Sequence, residues 1–293
     1  MFRVALVLLL VPAVAPAQSP AEKKATLAYI AALRDPETGA FKAEPNGKPG
    51  LRACNAAVRA IKYLGGTMTD KDKVAVFVLK CYDPATGGFA EPGGKPDVGV
   101  TAVGVMVANE LAIPPEKYAK ALFYLRDHAR SFEEVRIAAA AVEAWGVRDC
   151  PFDLAPWFRA ADQAYADASQ VDPKGGGARQ VGSAAALLAR LGREPGTKAR
   201  ADMLDWMRKG QRDDGGWSKG ADLHSDLDST YRVMRAFYLL KAPPADPAKL
   251  RAFVAACRNP DGGYGVKPGD PSSMGGVYYA ATVTHWLDEL GTK

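Results

Sequence analysis

The chain of 293 residues is predicted to be all-α, with about twelve helices in six hairpin repeats. Three observations carry this prediction. A Gly-rich aromatic turn recurs as Asp35-Pro-Glu-Thr-Gly-Ala-Phe41, Asp83-Pro-Ala-Thr-Gly-Gly-Phe89, Asp213-Asp-Gly-Gly-Trp217 and Pro260-Asp-Gly-Gly-Tyr264, with weaker copies at Ser131-Phe132 and Asp172-Pro-Lys-Gly-Gly-Gly177. The markers at 41, 89, 132, 177, 217 and 264 lie 48, 43, 45, 40 and 47 residues apart, a period that means one supersecondary unit repeated. Between markers the apolar residues follow a helical period, and no segment alternates as a strand would.

The helices are expected near 21–33, 52–64, 71–81, 99–111, 117–127, 133–145, 154–167, 178–191, 197–209, 229–240, 247–257 and 275–289. In 52–64, Ala53, Ala56, Ala57, Ala60, Ile61 and Leu64 form a stripe one face wide. Val233, Ala236, Phe237 and Leu240 repeat that spacing. Ala-rich Ile137–Ala144 and Ser183–Leu191 suit helices packed on several sides. Pro45-Asn-Gly-Lys-Pro49, Pro92-Gly-Gly-Lys-Pro96 and Lys267-Pro-Gly-Asp270 break the pattern as loops. Six similar hairpins can stack as an open solenoid or close into a ring with inner and outer layers. The absence of polar caps at either end favours closure.

Residues 1–17 read as a secretory signal peptide: Arg3, the apolar run Val4–Val11, and Ala15-Pro-Ala17 as the small-x-small cleavage site, with the cut after Ala17. The mature chain, 18–293, is expected to be one domain, secreted or periplasmic, without a transmembrane segment. Net charge is +5, or +4 without Arg3, and no Lys/Arg run appears, which argues against nucleic-acid and membrane-surface partners. Cys54, Cys81, Cys150 and Cys257 are widely spread with no C-x-x-C pair, and core thiols are the expected state. No nucleophile elbow, phosphate loop or dinucleotide fingerprint is present.

Lys249-Leu-Arg-Ala-Phe-Val-Ala-Ala-Cys257, Asp261-Gly-Gly-Tyr-Gly265, Lys267-Pro-Gly269 and Gly275-Gly-Val-Tyr-Tyr279 together resemble a repeat of the protein prenyltransferase β subunits, most of all the geranylgeranyltransferase type II branch. Asp213-Asp-Gly-Gly-Trp217 followed by Asp226-Leu-Asp228 resembles their next functional repeat. The resemblance covers nearly all of the mature chain and implies an α/α toroid, an (α/α)6 barrel, shared with squalene-hopene and related terpene cyclases. It implies a central apolar cavity for an isoprenoid or similar lipid, and a transferase or a class II cyclase if the protein is an enzyme. It identifies fold more sharply than activity.

The densest polar stretch is Asp222-Leu-His-Ser-Asp226-Leu-Asp228-Ser-Thr230. In the β subunits an Asp-x-Cys pair and a distant His bind catalytic zinc, which activates a thiol. Asp226 matches that Asp, Asp228 stands in place of the Cys, and Gly275-Gly-Val-Tyr278 occupies the region expected to hold the His. The zinc–thiolate set therefore reads as degenerate. Asp226 and Asp228, with His224, would instead offer a harder site for one divalent ion, zinc or magnesium.

Among the diphosphate-binding positions, Ser273 replaces a His, Gly220 and Leu223 stand near an Arg and a Lys, and Ser229 replaces a Tyr. Arg232, Lys219, Lys267 and Arg179 are candidate replacement cations. Asp226-Leu-Asp228-Ser-Thr230 also approaches the Asp-x-Asp-Asp-Thr acid motif of class II cyclases, in which Asp228 would be the proton donor, although those enzymes are expected to use a further domain. Read structurally, Asp228, Ser229 or Thr230 caps the following helix. Tyr231, Tyr278 and Tyr279 are candidate cavity-lining residues. The reading from another class is a non-catalytic binding or protein-interaction module with a protein partner.

Overall fold

The computed structural model describes residues 18–221 and 223–291, and all twelve expected helices are present within them. The leader expected over 1–17, and Asp222, lie outside the described residues. The helices are α1 Pro20–Ala32, α2 Leu51–Tyr63, α3 Lys71–Lys80, α4 Val98–Glu110, α5 Ala121–His128, α6 Phe132–Trp145, α7 Ala155–Ala168, α8 Ala178–Arg190, α9 Thr197–Lys209, α10 Leu227–Leu239, α11 Pro247–Ala256 and α12 Met274–Glu289. Among the described residues, β pairing is confined to isolated bridges. The one boundary displaced by more than two residues is that of α5: the helix expected from 117 begins at Ala121, because Pro115–Tyr118 forms a separate 3₁₀ turn.

The even-numbered helices form an inner ring, each packed on the next from α2 through α12, and α12 packs back on α2. The odd-numbered helices lie outside, against their inner partners. The expected closure is secured by several bonds. The Met274 amide donates to the Ala43 carbonyl at 2.9 Å, Gln18 Nε2 reaches the Tyr264 hydroxyl at 3.1 Å, and Arg258 pairs with Glu22 at 3.8 Å.

The marker turns join outer to inner helices and bind each repeat to the next. Bridges Arg34–Phe41, Tyr82–Phe89 and Arg258–Tyr264 pin the chain on either side of three of them. Asp214 and Asp261 act alike: each accepts from the glycine amide two residues on and from a serine hydroxyl, Ser225 at 2.7 Å and Ser272 at 2.8 Å. Gly262 has φ +86°, and a Cβ there would lie 2.6 Å from the Ala25 carbonyl oxygen on α1, so glycine is required by both conformation and space.

The marker aromatics point into the layer between helices. Phe89 is fully buried, and a Cβ on Gly104 of α4 would lie 2.3 Å from its ring. Gly104→Val would gain a few tenths of a kcal/mol in helix propensity but overpack an immobile ring. It is therefore expected to destabilise the protein by about 2–3 kcal/mol, read as a lower urea midpoint at unchanged slope.

All four cysteines are free thiols, three of them buried. Burial pushes Cys54 and Cys257 up to about 12, so both behave as small apolar core groups.

Candidate functional site

Closing six inner helices leaves a central cavity of about 430 Å³. Its rim is set by the first turns of these helices, where Arg52 and Glu133 are solvent-exposed; residues two to three turns deeper form its floor. Repeat register decides what meets at each depth. Arg59, Met106 and Arg235 each stand eight residues after the first residue of their helices (51, 98 and 227), so they share one layer. Seven residues of α10 separate Asp228 at the rim from Arg235, roughly 10 Å of helix.

The cavity lining is of two kinds. Ala53, Ala56, Val103, Met106, Ile137 and Ala140, from α2, α4 and α6, make one side apolar. The rest of the lining is largely tyrosines and arginines, with Arg59 and Arg136 supplied by α2 and α6 themselves. The expectation of an apolar cavity is therefore met in part only. Sequence reading singled out Arg232 and Arg179 but missed Arg59, Arg136, Arg190 and Arg235. Each of these looks like an ordinary solvent-face residue within its own helix, and only comparing register across repeats brings them together.

Tyr231, Tyr278 and Tyr279 do converge. The Tyr231 and Tyr278 hydroxyls are 2.8 Å apart, the Tyr231 and Tyr279 rings 5.2 Å apart, and Tyr231 stacks on Trp286 at 5.3 Å. The Tyr231 oxygen also accepts from Arg235 Nη2 at 3.1 Å. Burial alone would raise this phenol, but Arg235, Arg190 and Arg59 together outweigh it and lower it to about 7. Tyr278 moves the other way, held up mainly by burial.

The carboxylates are arranged differently from the metal-site expectation. Asp226 is the N-cap of α10, where 228–230 were expected to supply the cap: its carboxylate accepts from the Ser229 amide at 2.7 Å and the Ser229 hydroxyl at 2.9 Å. Its extended backbone places the side chain over the amides, which Asp228, the second residue of the helix, cannot do. Asp226→Ala is expected to cost about 1–2 kcal/mol and Asp226→Asn much less, in denaturant titrations of the two variants.

Asp228 faces Arg179 at 3.2 Å, Arg232 at 3.4 Å and Lys219 at 3.7 Å. Burial favours its protonated form, but these three cations prevail and hold it below the usual carboxylate range. It is thus a paired anion rather than a poised proton donor. His224 is exposed, and Ser273 caps α12 by accepting from the Gly276 amide at 3.1 Å. Among the described residues, no group of three or more His, Cys, Asp or Glu is placed to hold a metal ion. These residues do not fit a catalytic zinc: one carboxylate is committed to a helix terminus and the other to cations.

A family model for the prenyltransferase alpha-alpha toroid domain matches residues 2–131 and 174–292. The chain belongs to this family. Similar solved structures include the type II terpene cyclase MstE from Scytonema in complex with its substrate geranylgeranyl dihydroxybenzoate, at 14% identity and TM-score 0.60, covering 93% of this chain and 97% of that one. The same cyclase without ligand gives TM-score 0.59 at 13% identity over 93% and 98%. A protein from Actinoplanes gives 0.59 at 13% over 92% and 99%. No curated protein sequence matches the chain. At these identities the likeness establishes the toroid and not the chemistry. It does correct one expectation: a type II terpene cyclase can be matched over nearly its whole length by a single toroid of this size, so a further domain is not obligatory. No helix among the described residues is long and apolar enough to cross a membrane.

Proposed function

We propose that this protein is an exported toroid that holds an isoprenoid or similar long-chain molecule in its central cavity, without the zinc–thiolate chemistry of the prenyltransferase β subunits. The observation that carries the reading is the apolar strip contributed by α2, α4 and α6 along a cavity of about 430 Å³. That volume lies within the range of small-molecule sites. A centre meant only to be filled would close this space, because cavities of such size destabilise a core. The Scytonema cyclase supports the reading by analogy, since its structures hold geranylgeranyl dihydroxybenzoate as substrate and merosterolic acid A as product. Export rests on the features of residues 1–17.

Equilibrium dialysis of the mature protein against geranylgeraniol tests this. One ligand per chain is expected, with affinity reduced at least about tenfold in Ala140→Trp, whose indole would occupy the apolar side. Absence of binding, or equal binding in that variant, would leave the interaction-module reading instead.

A further inference from the structure

The floor of the cavity is more cationic than a lipid chain requires. Arg59, Arg136, Arg190 and Arg232 line it from α2, α6, α8 and α10, and Arg235 of α10 lines a smaller hollow beside it. Their counter-ions lie at the edges: Glu110 is 3.7 Å from Arg59 and Glu143 is 3.3 Å from Arg190. Glu133 is shared by Arg136 at 3.1 Å and Arg232 at 2.7 Å. Two of the acids are also divided with outside cations, Glu110 with Lys62 and Asp228 with Arg179 and Lys219.

Arg235 stands apart. It is 6% exposed and has no carboxylate at ion-pair distance among the described residues. Its Nε is buried without a hydrogen-bond partner, as is that of Arg59. Beyond the bond to Tyr231, its guanidinium lies over the Trp286 ring at 4.3 Å. Its charge is met by the Tyr231 oxygen and the Trp286 face rather than by a carboxylate. The arginines also repel one another: burial and the neighbouring Arg235 hold Arg190 below its usual range, and burial and Arg232 do so for Arg136.

Beside Arg235 lies a hollow of about 20 Å³, lined by Arg136, Ser183, Arg190, Tyr231, Arg232 and Arg235 among others. It has room for a single water-sized group. Four of these residues, Arg136, Arg190, Tyr231 and Arg232, also line the main cavity, so an atom in the hollow and a chain in the cavity can belong to one molecule.

We propose that these arginines form an oxyanion site, seating the carboxylate or phosphate group of the ligand in the main cavity beside Arg136, Arg190 and Arg232, with one oxygen entering the hollow toward Arg235 and the ligand's chain lying along the apolar residues toward the rim. This rests on the cavity being the ligand site proposed above. The planar donors of several guanidiniums match an oxyanion's geometry, and the unpartnered Nε of Arg235 is an unmet donor.

The test compares geranylgeraniol, geranylgeranoic acid and inorganic phosphate by isothermal titration and thermal shift, in wild type, Arg235→Met and Arg190→Met at low salt. The acid is expected to bind about 10- to 100-fold more tightly than the alcohol in wild type. That advantage should disappear in both variants while alcohol affinity is retained. Phosphate alone should raise the wild-type melting temperature and not that of the variants. Equal affinity for acid and alcohol in wild type would overturn the proposal while leaving the cavity reading intact. Phosphate stabilisation that depends on Arg235 without binding of either lipid would support the oxyanion site as one for a free anion and overturn the lipid reading.

Discussion

Trp217→Ala is expected to lower stability by about 3–5 kcal/mol, among the largest single effects in the molecule. Trp217 is the marker aromatic of its repeat and is 1% exposed. Its indole Nε1 donates to the Met207 carbonyl at 2.9 Å on outer helix α9, and its backbone amide donates to the Thr230 hydroxyl at 3.1 Å on inner helix α10. Its ring lies 6.0 Å from that of Phe237. One side chain thus ties both helices of a hairpin to the turn between them. Because the neighbouring backbone is fixed by ring closure, the hole cannot collapse, which places the cost at the upper part of the range. Thermal unfolding of Trp217→Phe, which keeps most of the volume and loses the indole bond, should fall between wild type and the alanine variant. A loss below about 1 kcal/mol for Trp217→Ala would show that the marker aromatics do not hold the repeats together.

The second large effect is electrostatic. Tyr231→Phe is expected to abolish a phenol titration centred near neutral pH, followed by the ultraviolet absorbance of tyrosinate. The groups facing Tyr231 are Arg235, Arg232 and Asp228 on α10, Arg190 on α8, Arg136 on α6, Arg59 on α2, and Tyr278 and Tyr279 on α12. Cations predominate, which is why the phenol falls to about 7 despite burial. In the unfolded chain it titrates near 10. Between these values the unfolded state binds more protons, so the contribution of Tyr231 to stability grows as pH rises from about 7 and is lost as pH falls through it. The slope is at most about 1.4 kcal/mol per pH unit. Denaturant titrations at about pH 6 and pH 9 should show this gain in wild type and not in Tyr231→Phe. A ligand oxyanion on the floor would compete with the phenolate for the same guanidiniums, so bound geranylgeranoic acid should move the titration upward.

The ring was legible because its signals are local and repeated: a helical stripe in each segment, a Gly-aromatic turn at each junction, and no alternation. The capping of α10 was misplaced by two residues because Asp226, Asp228, Ser229 and Thr230 all carry side chains able to cap. Only the extended backbone at 226 selects among them. Tyr231, Tyr278 and Tyr279 are legible because they lie near the starts of α10 and α12, whose sequence marks them as inner helices. The buried arginines are not, because a lone Arg on a helix has no local signature of burial. Their convergence is a property of six helices in register, visible in the sequence only once residues 59, 106 and 235 are counted from their own helix starts.

The central claim is that the cavity holds an anionic long-chain ligand and not a metal centre. The measurement that tests it most directly is native mass spectrometry of the mature protein purified from the extracellular or periplasmic fraction of its own host, with metal analysis of the same sample. The predicted result is one bound acidic lipid per chain, absent from Ala140→Trp, with no stoichiometric metal. A ligand-free mass, or one metal ion per chain that is lost in Asp226→Ala with Asp228→Ala, would contradict it.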